Sequence, residues 1–217
     1  MASPPSLSRR AFLETASLSA AGLLAAPARL GASARRPFTL RYAVASSLYG
    51  GLSLDEILPE VRKQGSSAID LWPRRHGTQR EEADAWGRER LTATLRRHGV
   101  TLALTTRFDL GPFGLNDELQ FVASHGGQLV VTGGKGEVGL TGPALKEEVR
   151  RFVEALRPSL ARAAETGVSI AIENHSNNLI NLPDSLRWML EFSRGLPLGV
   201  ALAPYHGDRG CPGARNH

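Results

Sequence analysis

The chain has 217 residues, 41% of them hydrophobic and 6% aromatic, with a formal net charge of +5 and one cysteine. That length suits a single domain with a sizeable core, and the lone Cys211 excludes an internal disulfide. The basic balance does not describe a nucleic-acid groove, which needs charge clustered on one face. Lys63, Lys135 and Lys146 are the only lysines, and the arginines alternate with glutamates, as in Arg80-Glu81-Glu82 and Arg88-Glu89-Arg90. Solvated helix faces account for that pattern, so no nucleic-acid partner is expected.

The first segment, residues 1–34, has the three parts of a secretory leader. Arg9-Arg10 followed by Phe12 and Leu13 marks the twin-arginine route. A small-residue apolar stretch from Ala16 to Ala28 follows, and Ala32-Ser33-Ala34 offers a small-x-small cleavage site. The stretch is too short, and too broken by Pro27, for a membrane span of about 20 apolar residues. The expectation is an exported, periplasmic or extracytoplasmic protein with no membrane span after cleavage.

From residue 35 onward, short β-rich runs alternate with helical patterns. Thr39 to Ala45 reads as a first strand, followed by a polar turn through Ser46, Ser47 and Tyr49. Leu54, Ile57, Leu58 and Val61 define one face of a helix over 54–64, stopped by Gly65. A second strand, 68–72, is closed by Pro73, and a helix spans about 81–97 up to His98-Gly99. Strands over 100–105 and 128–132 flank a short helix, 116–124, with Asn116 or Asp117 as its cap. The longest pattern, about 143–165, carries Leu145, Val149, Phe152, Val153, Leu156 and Leu160, with a kink predicted at Pro158. Gly167 stops it before a fifth strand, 168–172; Asp184 caps a last amphipathic helix, and 197–202 forms a sixth strand.

Strands alternating with helices predict a parallel sheet covered by helices, either doubly wound or closed as a (β/α)₈ barrel. No glycine-rich phosphate fingerprint follows the first strand, which disfavours a nucleotide-binding open sheet. About six β/α units fit within residues 35–206, and residues 207–217 read as an irregular tail.

In parallel β/α proteins the site is built from the loops after the strand C-termini. That rule selects Ser46, Ser47 and Tyr49; Trp72 and His76; Thr106 and Arg107; Gly133, Gly134 and Lys135; Glu173, Asn174 and His175; and Tyr205 and His206. Glu173-Asn174-His175 stands out, because a hydrophobic run ends there abruptly in a carboxylate, an amide and an imidazole. A carboxylate at such a place is costly unless paired, hydrogen-bonded or metal-bound. Glu173 is open to three roles: metal ligand, base beside a carbonyl, or partner of a nearby arginine. His98 and His125 precede glycines at helix ends and read as complements to helix dipoles.

The stretch A-E-T-G-V-S-I-A-I-E-N-H from Ala164, with L-G-V-A-L-A-P-Y-H ending at His206 and the earlier I-D-L-W-P-R-R-H-G, resembles the sugar phosphate isomerase/epimerase family. The resemblance covers roughly residues 40–206 and implies a xylose isomerase-like (β/α)₈ TIM barrel, incomplete here. It implies a divalent metal at the barrel mouth, with Glu173 as ligand and acid/base. It also implies a substrate contact from His206; His175, Trp72, His76 and Asn174 are expected to join it from their places at the strand ends. The chain departs from that pattern at Ala203, which stands where the family has a ligating aspartate, and strands seven and eight are not recognisable. The expected activity is proton transfer between adjacent carbons of a small-molecule carbohydrate. The alternatives are a non-catalytic carbohydrate-binding protein and an inactive, C-terminally truncated barrel.

Overall fold

The computed structural model describes residues 40–207. The expected leader, Thr39, the tail beyond Gly207 and Cys211 lie outside the described residues. Six strands, β1 (Val44–Ala45), β2 (Ala68–Leu71), β3 (Thr101–Thr106), β4 (Leu129–Gly133), β5 (Ser169–Glu173) and β6 (Leu198–Ala201), form one sheet in the order β1 to β6. Every neighbouring pair is parallel. The connections carry α1 (Leu54–Lys63), α2 (Gln79–Arg97), α3 (Asn116–Ser124), α4 (Gly142–Thr166) and α5 (Pro183–Phe192), and α6 (Pro204–Gly207) follows β6. This is the expected β/α alternation, with sequential strands adjacent in space.

Local chemistry explains two of the helix ends directly. Ser53 and Glu56 close a capping box at the start of α1, and Gly167, with φ 70°, ends α4 in a left-handed conformation. Other ends differ from the sequence expectation. The residue before α3 is Leu115, with no side-chain cap, and Asn116 and Asp117 lie inside the first turn. At α5 the Ser185 hydroxyl accepts from the Asn181 and Leu182 amides at 3.1 and 3.0 Å. Asp184 instead pairs with Arg187 at 3.0 Å, outside the capping position. Pro158 lies inside α4 without ending it. A break, not expected from the sequence, falls in α2 at Gly87, whose φ of 72° and ψ of 170° leave the helical region. The first strand is also shorter than the expected 39–45.

Two hydrophobic clusters form the core. One packs α3, α4 and α5 on β4, β5 and β6, with Phe152, Val153, Leu156, Ile170, Ile172 and Met189 among its members. The other packs α1 and α2 on β1, β2 and β3 through Leu54, Leu58, Ile69, Leu91 and Leu102. Each fully buried aliphatic side chain contributes about 1.5–3 kcal/mol relative to exposure. Between them lies a buried ion pair: Arg80 from α2 holds Glu118 of α3 through Nε–Oε1 and Nη2–Oε2 contacts of 2.9 Å each. Phe121 covers the guanidinium at 3.5 Å, and Arg107 also reaches Glu118. The exposed arginines of α4 and α5 instead form spaced ion pairs, such as Arg157–Glu154 and Arg187–Asp184. Among the described residues no helix is long and apolar enough to cross a membrane.

Candidate active site

The C-terminal ends of the parallel strands bring together residues from β2, β3, β5 and the turn after β6. A cleft of about 500 Å³ is lined by Ser47, Trp72, His76, Phe108, Glu173, His175, Asn177, Asn178 and His206. A second cavity of about 440 Å³ adjoins it, sharing Trp72, His76 and Phe108 and adding Arg74, Arg75 and Asp109. Trp72 meets His76 edge-on, with ring centres 5.4 Å apart, and Phe108 at a tilt, 5.7 Å away.

Glu173 is the last residue of β5, paired in register with Gly133 of β4 and Ala201 of β6. Its Oε1 lies 3.8 Å from His206 Nε2, and both side chains are about one-fifth exposed (20% and 19%). Burial pushes the carboxyl above its ordinary value, and the facing His206 partly opposes that shift. The His206 ring in turn lies against His175, with ring centres 3.9 Å apart and planes 35° apart. His206 lies in the short helix α6, which follows closely on β6.

Asn174 has a different position from the one its sequence neighbours suggest. It is 2% exposed, and its amide is taken up by the backbone of Ala203: Nδ2 donates to the carbonyl at 2.9 Å, and Oδ1 accepts the N–H at 2.7 Å. It therefore ties the end of β5 to the chain leaving β6, and, buried with its amide engaged, it does not line the cleft where a ligand contact was expected of it. Tyr49 accepts a hydrogen bond from Gln64 at the end of α1, and Arg107 is committed to Asp109 and Glu118. Lys135 is exposed and does not line the cleft. Gly133 matters through its lack of a side chain: a Cβ there would come within 2.9 Å of the Asn178 amide. The glycine thus lets the loop after β5 close over the end of β4.

The sequence reading missed Asp70, Phe108, Asn177 and Asn178. Asp70 had a signal, a single carboxylate inside the apolar run I-D-L; Phe108 and the two asparagines are brought in only by loop folding. Asp70 Oδ2 accepts from Trp72 Nε1 at 2.7 Å and from Thr106 Oγ1 at 2.8 Å. Burial pushes its carboxyl up to about 7, and nearby Glu173 adds to the rise.

The expected divalent metal does not fit this donor set. Among the described residues no three His, Cys, Asp or Glu side chains are grouped to hold an ion. Ala203 supplies no carboxylate, and both of its backbone polar groups are engaged by Asn174. Asp70 is a poor donor, since it holds its proton up to about neutral pH and Oδ2 already accepts two hydrogen bonds. Glu173 alone falls well short of the several oxygen ligands such ions take.

No protein-family model and no curated protein sequence matches the chain. Solved structures do. A xylose isomerase-like TIM barrel protein from Mycobacterium smegmatis, in complex with magnesium, is 15% identical with a TM-score of 0.56, over 76% of this chain and 64% of that one. The 3-keto-D-glucoside 4-epimerase from E. coli is 15% identical with a TM-score of 0.59, over 78% of this chain and 70% of that one. An AP endonuclease of family 2 from Brucella melitensis is 12% identical with a TM-score of 0.56, over 78% and 70%. The chain thus spans less than two thirds of the Mycobacterium protein. At these identities the likeness is one of fold: six β/α units arranged as in the xylose isomerase-like TIM barrels.

Proposed function

We propose, for a chain with the xylose isomerase-like TIM-barrel fold, that its cleft binds a small carbohydrate and that Glu173 moves a proton between adjacent carbons of it. One observation carries this reading: Glu173 ends β5 with its carboxyl 3.8 Å from His206, in a cleft whose aromatic side is Trp72 and Phe108. In this reading ionised Glu173 takes the proton from the carbon beside the sugar carbonyl. The C–H bond breaks, an O–H bond forms on Glu173, and the electron pair passes to the carbonyl oxygen to give an enediolate. The hydroxyl proton then passes from the oxygen on the deprotonated carbon to the former carbonyl oxygen, and Glu173 returns its proton to the former carbonyl carbon as the second oxygen becomes the new carbonyl, which yields the isomer. His206 and His175 orient the oxygens, and Trp72 and Phe108 cover the apolar face of the ring. Burial of Glu173 strengthens it as a base by moving its protonation towards the working pH.

The test is solvent exchange. A panel of neutral ketoses and aldoses in deuterium oxide, followed by NMR, is expected to show carbon-bound deuterium incorporation that Glu173→Gln abolishes. A Glu173→Gln chain that exchanges as fast as the unmodified one removes the assignment. A second reading, carbohydrate binding without turnover, is supported by Ala203 and by the sparse donor set. Calorimetric sugar binding that is indifferent to chelator, with no exchange, favours it.

Export belongs to the same proposal: residues 1–34 direct the chain out of the cytoplasm by the twin-arginine route. Cell fractionation is expected to find it in the periplasm, and Arg9→Lys with Arg10→Lys to retain it inside; equal export of both would refute this. Absence of a nucleic-acid partner is supported by the ion-paired arginines of α4 and α5, and fluorescence anisotropy with duplex DNA at physiological salt tests it.

A further inference from the structure

Asp70 has no part in the proton transfer above, yet its position is an expensive one. It is 8% exposed, and its Oδ1 is buried without a hydrogen-bond partner. A buried carboxyl with half of its acceptors unused costs free energy that an apolar residue of similar size would not. Stability of β2 therefore does not account for an acid here. The geometry of its other oxygen does: Oδ2 receives both the Trp72 indole N–H and the Thr106 hydroxyl. The pairing of β2 with β3 also shifts register between Ile69 and Asp70, an irregularity of the kind that re-aims side chains next to sites.

Trp72 is common to both cavities. Its aromatic neighbours, His76 edge-on and Phe108 at a tilt, pack against the ring but take no hydrogen bond from its indole N–H, which goes to Asp70. Its backbone N–H is held by Ser46 Oγ at 2.9 Å, which sets the main chain but leaves the indole free to rotate. The Asp70 bond is the polar contact that selects one orientation of the ring.

We infer that Asp70 is a positioning residue, which is itself held by the Thr106 hydroxyl and fixes the Trp72 indole as the wall against which the carbohydrate lies. The inference rests on the carbohydrate reading for the identity of the ligand, but the orientation of the indole can be tested without one. The chain has three tryptophans, Trp72, Trp86 and Trp188, so a ¹⁵N-labelled sample gives three indole signals, with that of Trp72 assigned by Trp72→Phe. Asp70→Leu removes the acceptor, and Asp70→Asn keeps one in nearly the same shape. In Asp70→Leu the Trp72 indole N–H is expected to exchange with solvent at least about tenfold faster, while the signals of Trp86 and Trp188 stay in place. Asp70→Asn is expected to restore protection to within about threefold of the unmodified chain. D-Fructose affinity, by calorimetry, should follow the same order. Unchanged Trp72 exchange in Asp70→Leu, or exchange in Asp70→Asn as fast as in Asp70→Leu, overturns the inference. Failure of fructose to bind the unmodified chain counts against the carbohydrate reading alone, and the indole exchange then decides this one.

Discussion

Replacing Asp70 by Asn also measures how strongly the folded chain resists a charge behind the cleft. The carboxyl rises from an ordinary value of 3.8 to about 7 on folding, chiefly through burial; Glu173 adds to the rise, and the Thr106 and Trp72 hydrogen bonds oppose it. The folded chain therefore keeps this proton where the unfolded chain has released it. Stability is fully present below the unfolded value, falls as pH climbs towards the folded value, and is level above it. At about 1.4 kcal/mol for each pH unit, an interval of roughly three units amounts to about 4 kcal/mol. Asn has the shape of the neutral acid, and its amide oxygen can serve both Trp72 and Thr106. Its Nδ2 takes the place of the unpartnered Oδ1, which adds a cost of about 1–3 kcal/mol that does not vary with pH. Urea unfolding of both chains from about pH 4 to about pH 8 isolates this group together with its coupling to Glu173, since groups that do not interact with Asp70 titrate alike in the two. The stability difference should swing towards the variant by about 4 kcal/mol across that range. A difference that stays constant with pH would refute the reasoning.

Asn174→Ala leaves the N–H and carbonyl of Ala203 without their partners, and urea unfolding should register a loss of about 2–4 kcal/mol. Glu118→Ala leaves Arg80, which is 5% exposed, with Asp84 of its own helix as remaining ion-pair partner, and should cost up to about 3–5 kcal/mol in the same assay, far more than removal of the exposed Glu154. If Glu173 is the base, the acid limb of the deuterium-exchange rate should have its midpoint above 4.5, the ordinary value, because burial raises that carboxyl; a midpoint below it would exclude Glu173. Chelator should leave the melting temperature unchanged, whereas removing an ion held at 100 times its Kd would lower stability by about 2.7 kcal/mol.

The β/α order of this chain was legible because it is written locally. Apolar residues at helical spacing, stopped by Gly65 and Gly167, and β-rich runs ending in polar residues need no distant partner to be recognised. Glu173 and His206 stood out for the same reason: one ends a strand and the other follows one, and strand ends carry the site in this architecture. Elements that depend on a partner were misread. Thr39 to Ala45 has strand composition, but β1 comprises only Val44 and Ala45, which pair with Ile69 and Asp70; strand extent is set by the neighbour, not by the run. Asp184 looked like a cap, yet Ser185 reaches the free amides first. Tertiary structure alone decided that Asn174 is spent on Ala203, that Arg80 and Glu118 are buried together across 38 residues of chain, and that Asp70 stands behind Trp72. Hydrogen bonds and burial between residues distant in sequence fix these roles, and no local pattern encodes a partner's position. The sequence by itself placed a carboxylate and imidazoles at the strand ends; folding decided that Glu173 faces His206 and what holds them there.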